Sequence, residues 1–290
     1  MEFKMKKLFY LFVVVALLPI ACKSSQALDL NIMSFNIRYD NPEDSLNNWK
    51  YRKDIAAQTI KDYNADIAGT QEVLVNQLND LKERLPEYAA IGVGRQDGIE
   101  QGEYSAIFYK KERFSETESG YFWLSETPEV PGSKGWDGAC ERIATWAILE
   151  EKSNKKQVFV INTHLDHVGQ IARREGVALL LDRAKKLSKG LPVILTGDLN
   201  ATPESDVIRH INDSSNPSHL IHTKDIALET SGTPWTFHNF GKRPIKNREF
   251  IDYIFVSPAT KVLKHTVVPE QLNGQFISDH SIVTARITIN

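Results

Sequence analysis

An α/β fold is predicted from three observations. Strand-like runs rich in Val, Ile and Phe recur from residue 30 to residue 289. Amphipathic segments of helical period stand between some of them. After Leu28 no low-complexity tract, Pro/Ser-rich linker or repeat interrupts the series. A chain of 290 residues can hold one large domain or two small ones. The unbroken alternation predicts one, over 30–290, after an export segment (1–22) and a short linker (23–29).

The first strand is LNIMSFNI (30–37). In YRKDIAAQTIKDY (51–63) the apolar Ile55, Ala56, Ile60 and Tyr63 fall on one helical face. DIAGTQEV (66–73) is the next strand, and LVNQLNDLKERL places Leu74, Leu78, Leu81 and Leu85 together. AAIGVG (89–94), YSAIFY (104–109), RIATWAIL (142–149) and VFVINTHL (158–165) read as strands. The segment from Gln170 to Lys189 reads as a long helix with Ile171, Ala178, Leu181 and Leu187 inward. VILTGDLN (193–200), FIDYIFV (250–256) and SIVTARITI (281–289) complete the strands.

The first residues stand apart from this pattern. Lys4, Lys6 and Lys7 precede the apolar run Leu8 to Ala21, and Cys22 follows. That is the layout of an export signal, too short for a membrane span. Cys22 after Ala21 resembles the lipidated cysteine of bacterial lipoproteins, which predicts membrane attachment. The alternative is cleavage after Ser25-Gln26-Ala27 and free secretion. Residues 1–22 hold three lysines and one glutamate; without them 35 basic and 37 acidic side chains fall to 32 and 36, a net of −4. A mildly acidic chain argues against a nucleic-acid coat or a polybasic membrane binder. With Cys22 lipidated, Cys140 is the only thiol left, so neither a disulfide framework nor a zinc cluster can form.

Polar residues recur where strands end. Asn36 ends the first, Gln71 and Glu72 the second, Asn162, His164, Asp166 and His167 another, and Asp198 with Asn200 a fourth. An unpaired polar group in an apolar strand costs free energy, so repetition at one end asks for a reason. Glu72 and Asp279 are hard oxygen ligands suited to Mg²⁺ or Mn²⁺, and Asn36 adds a neutral oxygen. The set is poor for zinc. Asp198 and Asn200 alternate around Leu199 and share one side of the strand end. The carboxylate can take a proton from an attacking water, and the carboxamide can hold that water or a phosphate oxygen. His164 and His280 are donors toward a phosphate oxygen, and Arg142 and Tyr104 are further donors. Asp252, inside FIDYIF, requires a buried partner, and His280 is the natural one. Lewis acid, activated water and polar clamp describe phosphate-ester hydrolysis.

Each residue taken alone has a structural reading. Asp198 with Asn200 is ordinary turn chemistry, Asp279 a cap, Glu72 a solvated strand end, and Arg142 a partner for Glu141. Four strands placing such groups together by accident is a different matter. SFNIR (34–38), TQEV (70–73), NTHLDH (162–167), GDLNATP (197–203), IDYIF (251–255) and SDHSIV (278–283) also occur in the order typical of the endonuclease/exonuclease/phosphatase superfamily. The domain resembles that DNase I-like group over its whole length. The resemblance implies a four-layer α/β sandwich, two packed and mostly antiparallel β-sheets flanked by helices. It implies Glu72 as main metal ligand with Asn36 and Asp279 nearby, and Asp198 and Asn200 at the water. His280, oriented by Asp252, and His164 would contact the scissile phosphate, with Tyr104 and Arg142 as substrate-binding positions.

The expected enzyme is a Mg²⁺- or Mn²⁺-dependent phosphoric ester hydrolase acting as a monomer. The fold does not name the ester, which is a lipid head group, a small ester or nucleic acid. Polynucleotide binding leaves a basic stripe, and only short clusters such as Lys110-Lys111 and Lys242-Arg243 occur, which leaves short or single-stranded DNA or RNA as the nuclease alternative. Trp49, Trp136, Trp235 and Phe237 lie near the motifs, either to stack on substrate or to pack loops. A non-catalytic binding module on the same scaffold predicts losses among Glu72, Asp198, Asn200 and His280, and all four are present.

Overall fold

The computed structural model describes residues 1–3 and 27–290; the leader run and Cys22 lie outside the described residues. The chain alternates β1 (Leu28–Asn36), α1 (Trp49–Asp62), β2 (Ile67–Gln71), α2 (Val75–Arg84), β3 (Tyr88–Ile91) and β4 (Ile107–Lys110). Then come β5 (Phe114–Trp123), β6 (Ile143–Glu151), β7 (Gln157–His164), α3 (Gln170–Leu187), β8 (Val193–Asp198) and α4 (Asp206–Asn212). Short pieces follow: β9 (Ile221–His222), α5 (Thr223–Ile226) and β10 (Glu229–Ser231). The last strands are β11 (Asp252–Val256), β12 (Lys261–Val267), the small hairpin β13 (Gln271–Leu272) and β14 (Gln275–Phe276), and β15 (Val283–Ile289). β1 begins at Leu28, two residues earlier than expected, because Leu28 and Asp29 pair with Ile289 and Thr288.

Two sheets form, in the orders β10-β12-β15-β1-β2-β4-β3 and β5-β6-β7-β8-β11-β9. Neighbours are antiparallel except β1 with β2, β7 with β8 and β10 with β12. The sheets face each other across one buried cluster that joins Leu30, Ile32 and Ile67 to Ile161, Leu195 and Ile254. Outside the first sheet, Met33 and Phe35 lie under Ala56 and Ile60 of α1 and Leu78 and Leu81 of α2. Outside the second, α3 and α4 supply Val177, Leu180, Leu181, Val207 and Ile211. The layers run helix, sheet, sheet, helix. Central strands covered on both faces read as continuous apolar runs, which is why β1, β7 and β8 stood out in the sequence.

The short α4, β9, α5, β10, β13 and β14 were not singled out in the sequence, being too brief for a period to show, and three longer elements also depart from that reading. β5 has an exposed polar middle, and it is a strand because it pairs along β6 as the edge of the second sheet. β12 alternates too weakly to stand out beside its neighbours. On α3 the inward face carries Ala172, Gly176, Val177, Leu180, Leu181 and Ala184, while Ile171 is 46% exposed. A Cβ on Gly176 would meet the Leu124 side chain at an ordinary contact distance of 3.7 Å. Among the described residues no helix is long and apolar enough to cross a membrane.

The two sheets are tied beneath one end by a buried polar network. Asn162 Oδ1 accepts from Gln71 Nε2 (2.7 Å) and Thr196 Oγ1 (3.0 Å), and Nδ2 donates to the carbonyls of Thr70 (2.8 Å) and Ala106 (3.0 Å). The approach is tight, since a Cβ on Gly69 would lie 2.0 Å from Thr196 Oγ1. Asn162 is thus a satisfied cross-sheet rivet, and Gln71 serves it rather than a ligand.

At the far edge His222 and His265 are packed among Phe250, Tyr253 and Phe255. Thr223 Oγ1 donates to the Ile254 carbonyl and so accepts from His265 Nδ1, which leaves the His265 Nε2 lone pair buried without a partner. Burial pulls the His265 pKa down to about 4. The unfolded imidazole titrates near 6.5, so this contribution to stability is complete above that pH and declines as pH falls from there toward 4. The slope is about 1.4 kcal/mol per pH unit. Urea midpoints measured from pH 7.5 to 4.5 should fall along that line in the wild type and more gently in His265→Gln. Parallel curves would remove His265 from the acid response.

Candidate active site

Topology brings the polar strand ends together. Parallel β1, β2, β7 and β8 end at the same side where antiparallel β11 starts, and Asp279-His280 lie just ahead of β15. His164, Asp198 and Asp252 are register partners across three neighbouring strands, so their side chains share a row. Asn36 pairs with Gln71, and Glu72 comes next in the chain. The rule that sites sit at carboxyl ends of strands therefore covers only part of this one, since Asp252 opens its strand.

A cleft of about 610 Å³ opens there, lined among others by Arg38, Glu72, Glu103, Arg142, His164, Asp198, Asn200, Phe237, Asp279 and His280. Asn36 stands between two carboxylates: Nδ2 donates to Glu72 Oε1 and Asp198 Oδ2, both at 3.0 Å. Its Oδ1 accepts from Arg38 N at 3.0 Å. Its amide nitrogen, rather than the ligand oxygen expected, faces the carboxylates; Asn36 spaces them. Glu72 Oε2 accepts from Tyr39 N at 3.1 Å. Asp198 Oδ1 accepts from Asn200 N at 2.9 Å. Asn200 Nδ2 donates to the Leu165 carbonyl and to His164 Nε2, each at 3.0 Å, so His164 is neutral with its proton on Nδ1. His280 Nδ1 bonds Asp252 Oδ2 at 2.8 Å, while its Nε2 points to Asp198 Oδ2 at 3.8 Å.

Glu72 (φ 61°), Asn200 (φ 46°) and Arg38 (φ 59°) all adopt the left-handed region. Asn tolerates it; Glu and Arg each store on the order of 1 kcal/mol or more. The hydrogen bonds just described hold Glu72 in that turn and aim its carboxylate back over β1.

Electrostatics separates the groups. Burial, then the neighbouring Asp252, pushes Asp198 up to about 7. Burial also raises Asp279 and Glu103. Burial works against the Glu72 carboxylate, but His280 and the hydrogen bonds from Asn36 and Tyr39 hold it below the usual range. Burial opposes charge on His280 too, yet Asp252, Asp198 and Asp279 outweigh it and raise its pKa well above the ordinary value. His164 goes the other way, lowered by burial and by Arg142 and Arg95.

The donor chemistry fits a divalent cation. Ligand atoms of Glu72, His164 and Asp198 lie within 4.8 Å of one another, and Asp279 faces Arg38 at 3.8 Å on the same cleft. Crowded buried carboxylates with an oxygen-rich donor set suit Mg²⁺ or Mn²⁺.

Nine of the ten predicted positions converge around this cleft. Asn36 and Asp252 sit immediately behind its wall, and Arg142 lines it with Nη2 donating to His167 Nδ1 at 3.0 Å. Tyr104 departs from the expectation. It is buried in the core beneath α1 and α2, and its hydroxyl donates to the Ile99 carbonyl, so packing accounts for it. Asp166 and His167, which follow the same strand in the sequence, divide. His167 lines the cleft, and Asp166 is buried, accepting backbone N–H bonds from Ala139, Val168 and Gly169. Of the aromatics, Phe237 lines the cleft with its ring 4.8 Å from that of His280. Trp49 and Trp235 pack, their Nε1 groups bonded to Asp80 and Glu270.

Three contributors escaped the sequence. Arg38 grips Asp44 through two hydrogen bonds and reaches Asp279. Glu103 forms a two-point pair with Arg95 and approaches His164 Nδ1 at 4.0 Å. Thr236 Oγ1 accepts from the Asp252 backbone N–H, and the Thr236 carbonyl accepts from Ser281 N, so one residue fixes both halves of the Asp252–His280 pair. Only Arg38 lay inside a recognised motif; a lone Glu or Thr in a loop carries no periodic signal.

Residues 33–280 match the family described as Endonuclease/Exonuclease/phosphatase family. The chain is similar to an endonuclease/exonuclease/phosphatase of Bacteroides vulgatus, with 42% identity, 91% of this chain and 100% of that one covered, and a TM-score of 0.88. It is similar to the mannosyl-6-phosphatase of Bacteroides thetaiotaomicron, at 37% identity over 89% of this chain and 99% of that one, with a TM-score of 0.83. The CCR4-Not complex 3'-5'-exoribonuclease subunit of Mycosarcoma maydis is 25% identical over 86% of this chain and 47% of its own, so the chain spans about half of that relative.

Proposed function

The chain belongs to the Endonuclease/Exonuclease/phosphatase family of phosphate-ester hydrolases, and on that footing we propose that it is a divalent-metal-dependent phosphatase of a phosphorylated sugar. The observation that carries the reading is the cleft, which gathers Glu72, Asp198, Asn200 and the Asp252–His280 pair in one concave space, where Arg38, Arg95 and Arg243 are each paired with a carboxylate. Its likeness to a mannosyl-6-phosphatase over nearly the whole of both chains supports the substrate class.

Glu72 and Asp279 would hold a divalent cation, which when bound would supply Lewis-acid polarisation of the phosphate. This chain's residues do the rest. Asp198 takes the proton of the attacking water, and Asn200 orients that water; as the water oxygen bonds phosphorus the ester P–O bond breaks, and the departing sugar oxygen is protonated by solvent. His280, kept charged by Asp252, donates to the phosphate through Nε2, and Arg142 adds a second cationic donor. The preassembled donors cost little reorganisation when charge develops.

The test is hydrolysis of mannose 6-phosphate, bis-p-nitrophenyl phosphate and a short single-stranded oligonucleotide, each with Mg²⁺ or Mn²⁺ and with EDTA. Turnover of the sugar phosphate that EDTA abolishes is expected. Preference for the oligonucleotide would replace the phosphatase with a nuclease, and no turnover at all would favour a binding module. Glu72→Gln should raise the metal concentration for half-maximal activity at least about tenfold, the scale of losing one charged ligand interaction. An unchanged metal titration would take Glu72 away from the cation.

Export and lipidation at Cys22 belong to the same reading. An acylated N-terminal Cys22 found by mass spectrometry in the membrane fraction would support it. A soluble form beginning at Leu28 would replace it with free secretion.

A further inference from the structure

The catalytic cleft does not end at the catalytic residues. A second cavity of about 450 Å³ adjoins it between the starts of α3 and α4, and Arg173, Asn200 and Thr202 line both. Asn200 is the residue that holds His164. The side chains of Arg173, Asn200 and Thr202 stand between a phosphate in the catalytic cleft and the second space. Alone that space is of a size that takes a small-molecule ligand.

Its lining has a definite chemistry. Ile171, Ala201 and Val207 give an apolar floor, and Ile171 is 46% exposed at the start of a helix whose inward face lies elsewhere. Gln170, Thr202 and Ser205 give neutral donors and acceptors around it. The charges are largely matched: Arg174 pairs with Glu175, and Asp206 with Arg209. Arg173 stands at the junction. Its Nη1 donates to the Asp166 carbonyl at 2.8 Å, and the guanidinium forms part of both walls. A neutral ring with C–H groups on one face and hydroxyls around its edge matches such a lining. A second phosphate of a polynucleotide would find Arg173 and Arg174 already engaged, with the Asp166 carbonyl and with Glu175, and Asp206 beside them.

The geometry points to a second sugar subsite: the groove between α3 and α4 takes the unit next to the phosphorylated one, so the substrate is an oligosaccharide bearing a terminal phosphate. This rests on the sugar-phosphatase reading. Arg173 is then a specificity residue that bridges the two units. Binding energy gained far from phosphorus raises kcat/KM for the longer substrate.

The experiment compares kcat/KM for mannose 6-phosphate with that for mannobiose and mannotriose phosphorylated on the non-reducing terminal unit, in the full chain with Mg²⁺. The wild type should favour the longer substrates at least about tenfold. Ile171→Glu, a change at an exposed position, should cancel that preference while leaving mannose 6-phosphate hydrolysis unchanged, and Arg173→Ala should reduce it. Equal kcat/KM across the three lengths would overturn the subsite and leave the phosphatase standing. A wild-type preference that survives both substitutions would place the second unit elsewhere and also overturn it. Failure to hydrolyse any of the three sugar phosphates, with the oligonucleotide cleaved, would overturn both readings.

Discussion

Asp198→Asn is expected to lower kcat by a factor of about 10² to 10⁴, the range for loss of a positioned general base, with the fold retained. The volume is unchanged, and the position is the middle of a register row between His164 and Asp252. Both carboxylate oxygens are acceptors, from Asn200 N and from Asn36 Nδ2. An amide can keep only one of these bonds, which costs about 1 kcal/mol. In return it removes the repulsion between two buried carboxylates on paired strands, so the net change in stability is small. Thermal unfolding of the variant should therefore stay within a few degrees of the wild type. A kcat within threefold of wild type, in a protein that melts normally, would show that Asp198 is not the base. A large loss of stability instead would mean that the row is held together by its charge pattern.

The residues that gather at the cleft were legible because strands impose a period of two. Asp198 and Asn200 straddle Leu199, and a buried strand that ends so invites a functional reading. Asp252 stood out for the same reason, as a lone carboxylate in an apolar run. Tyr104 misled because its segment also ends in a strand, and sequence does not reveal which face a tyrosine takes once the bridge between Val73 and Tyr104 forms. The four-layer arrangement came from the resemblance; apolar runs covered on both sides do not tell parallel from antiparallel neighbours. β5 was invisible since an edge strand needs only one covered face and little apolar content. Thr236 and Glu103 were invisible because their roles consist of single long-range hydrogen bonds or ion pairs, which leave no pattern along the chain.

The same blindness hid Arg52, where substitution by Met should destabilise the protein by roughly 3–5 kcal/mol. Arg52 is fully buried on α1, on the face expected to be apolar. Burial pulls its pKa down to about 10, still far above neutrality, so the guanidinium stays charged. It donates to the backbone carbonyls of Ile37, Arg38, Asn47 and Ile277. Two of these follow Asn36 at the end of β1, and Ile277 precedes Ser278 and Asp279. One side chain thus clamps the loop whose Asn36 and Tyr39 hold Glu72 and the loop that carries Asp279, the two proposed cation ligands, and Ser278 Oγ adds a bond to the Asn36 carbonyl. Methionine fills much of the volume but leaves buried carbonyls without donors, each a cost of about 1–3 kcal/mol before relaxation. Lysine keeps the charge but not the fork, and should recover part of the stability. The folded fraction of Arg52→Met should also lose kcat by about tenfold or more, since misplacement by about 1 Å near reacting groups is costly. Urea unfolding with kcat measured in the folded range separates the two effects. A stability within about 1 kcal/mol of wild type would mean that water replaces the guanidinium and that the loops are held by their other contacts.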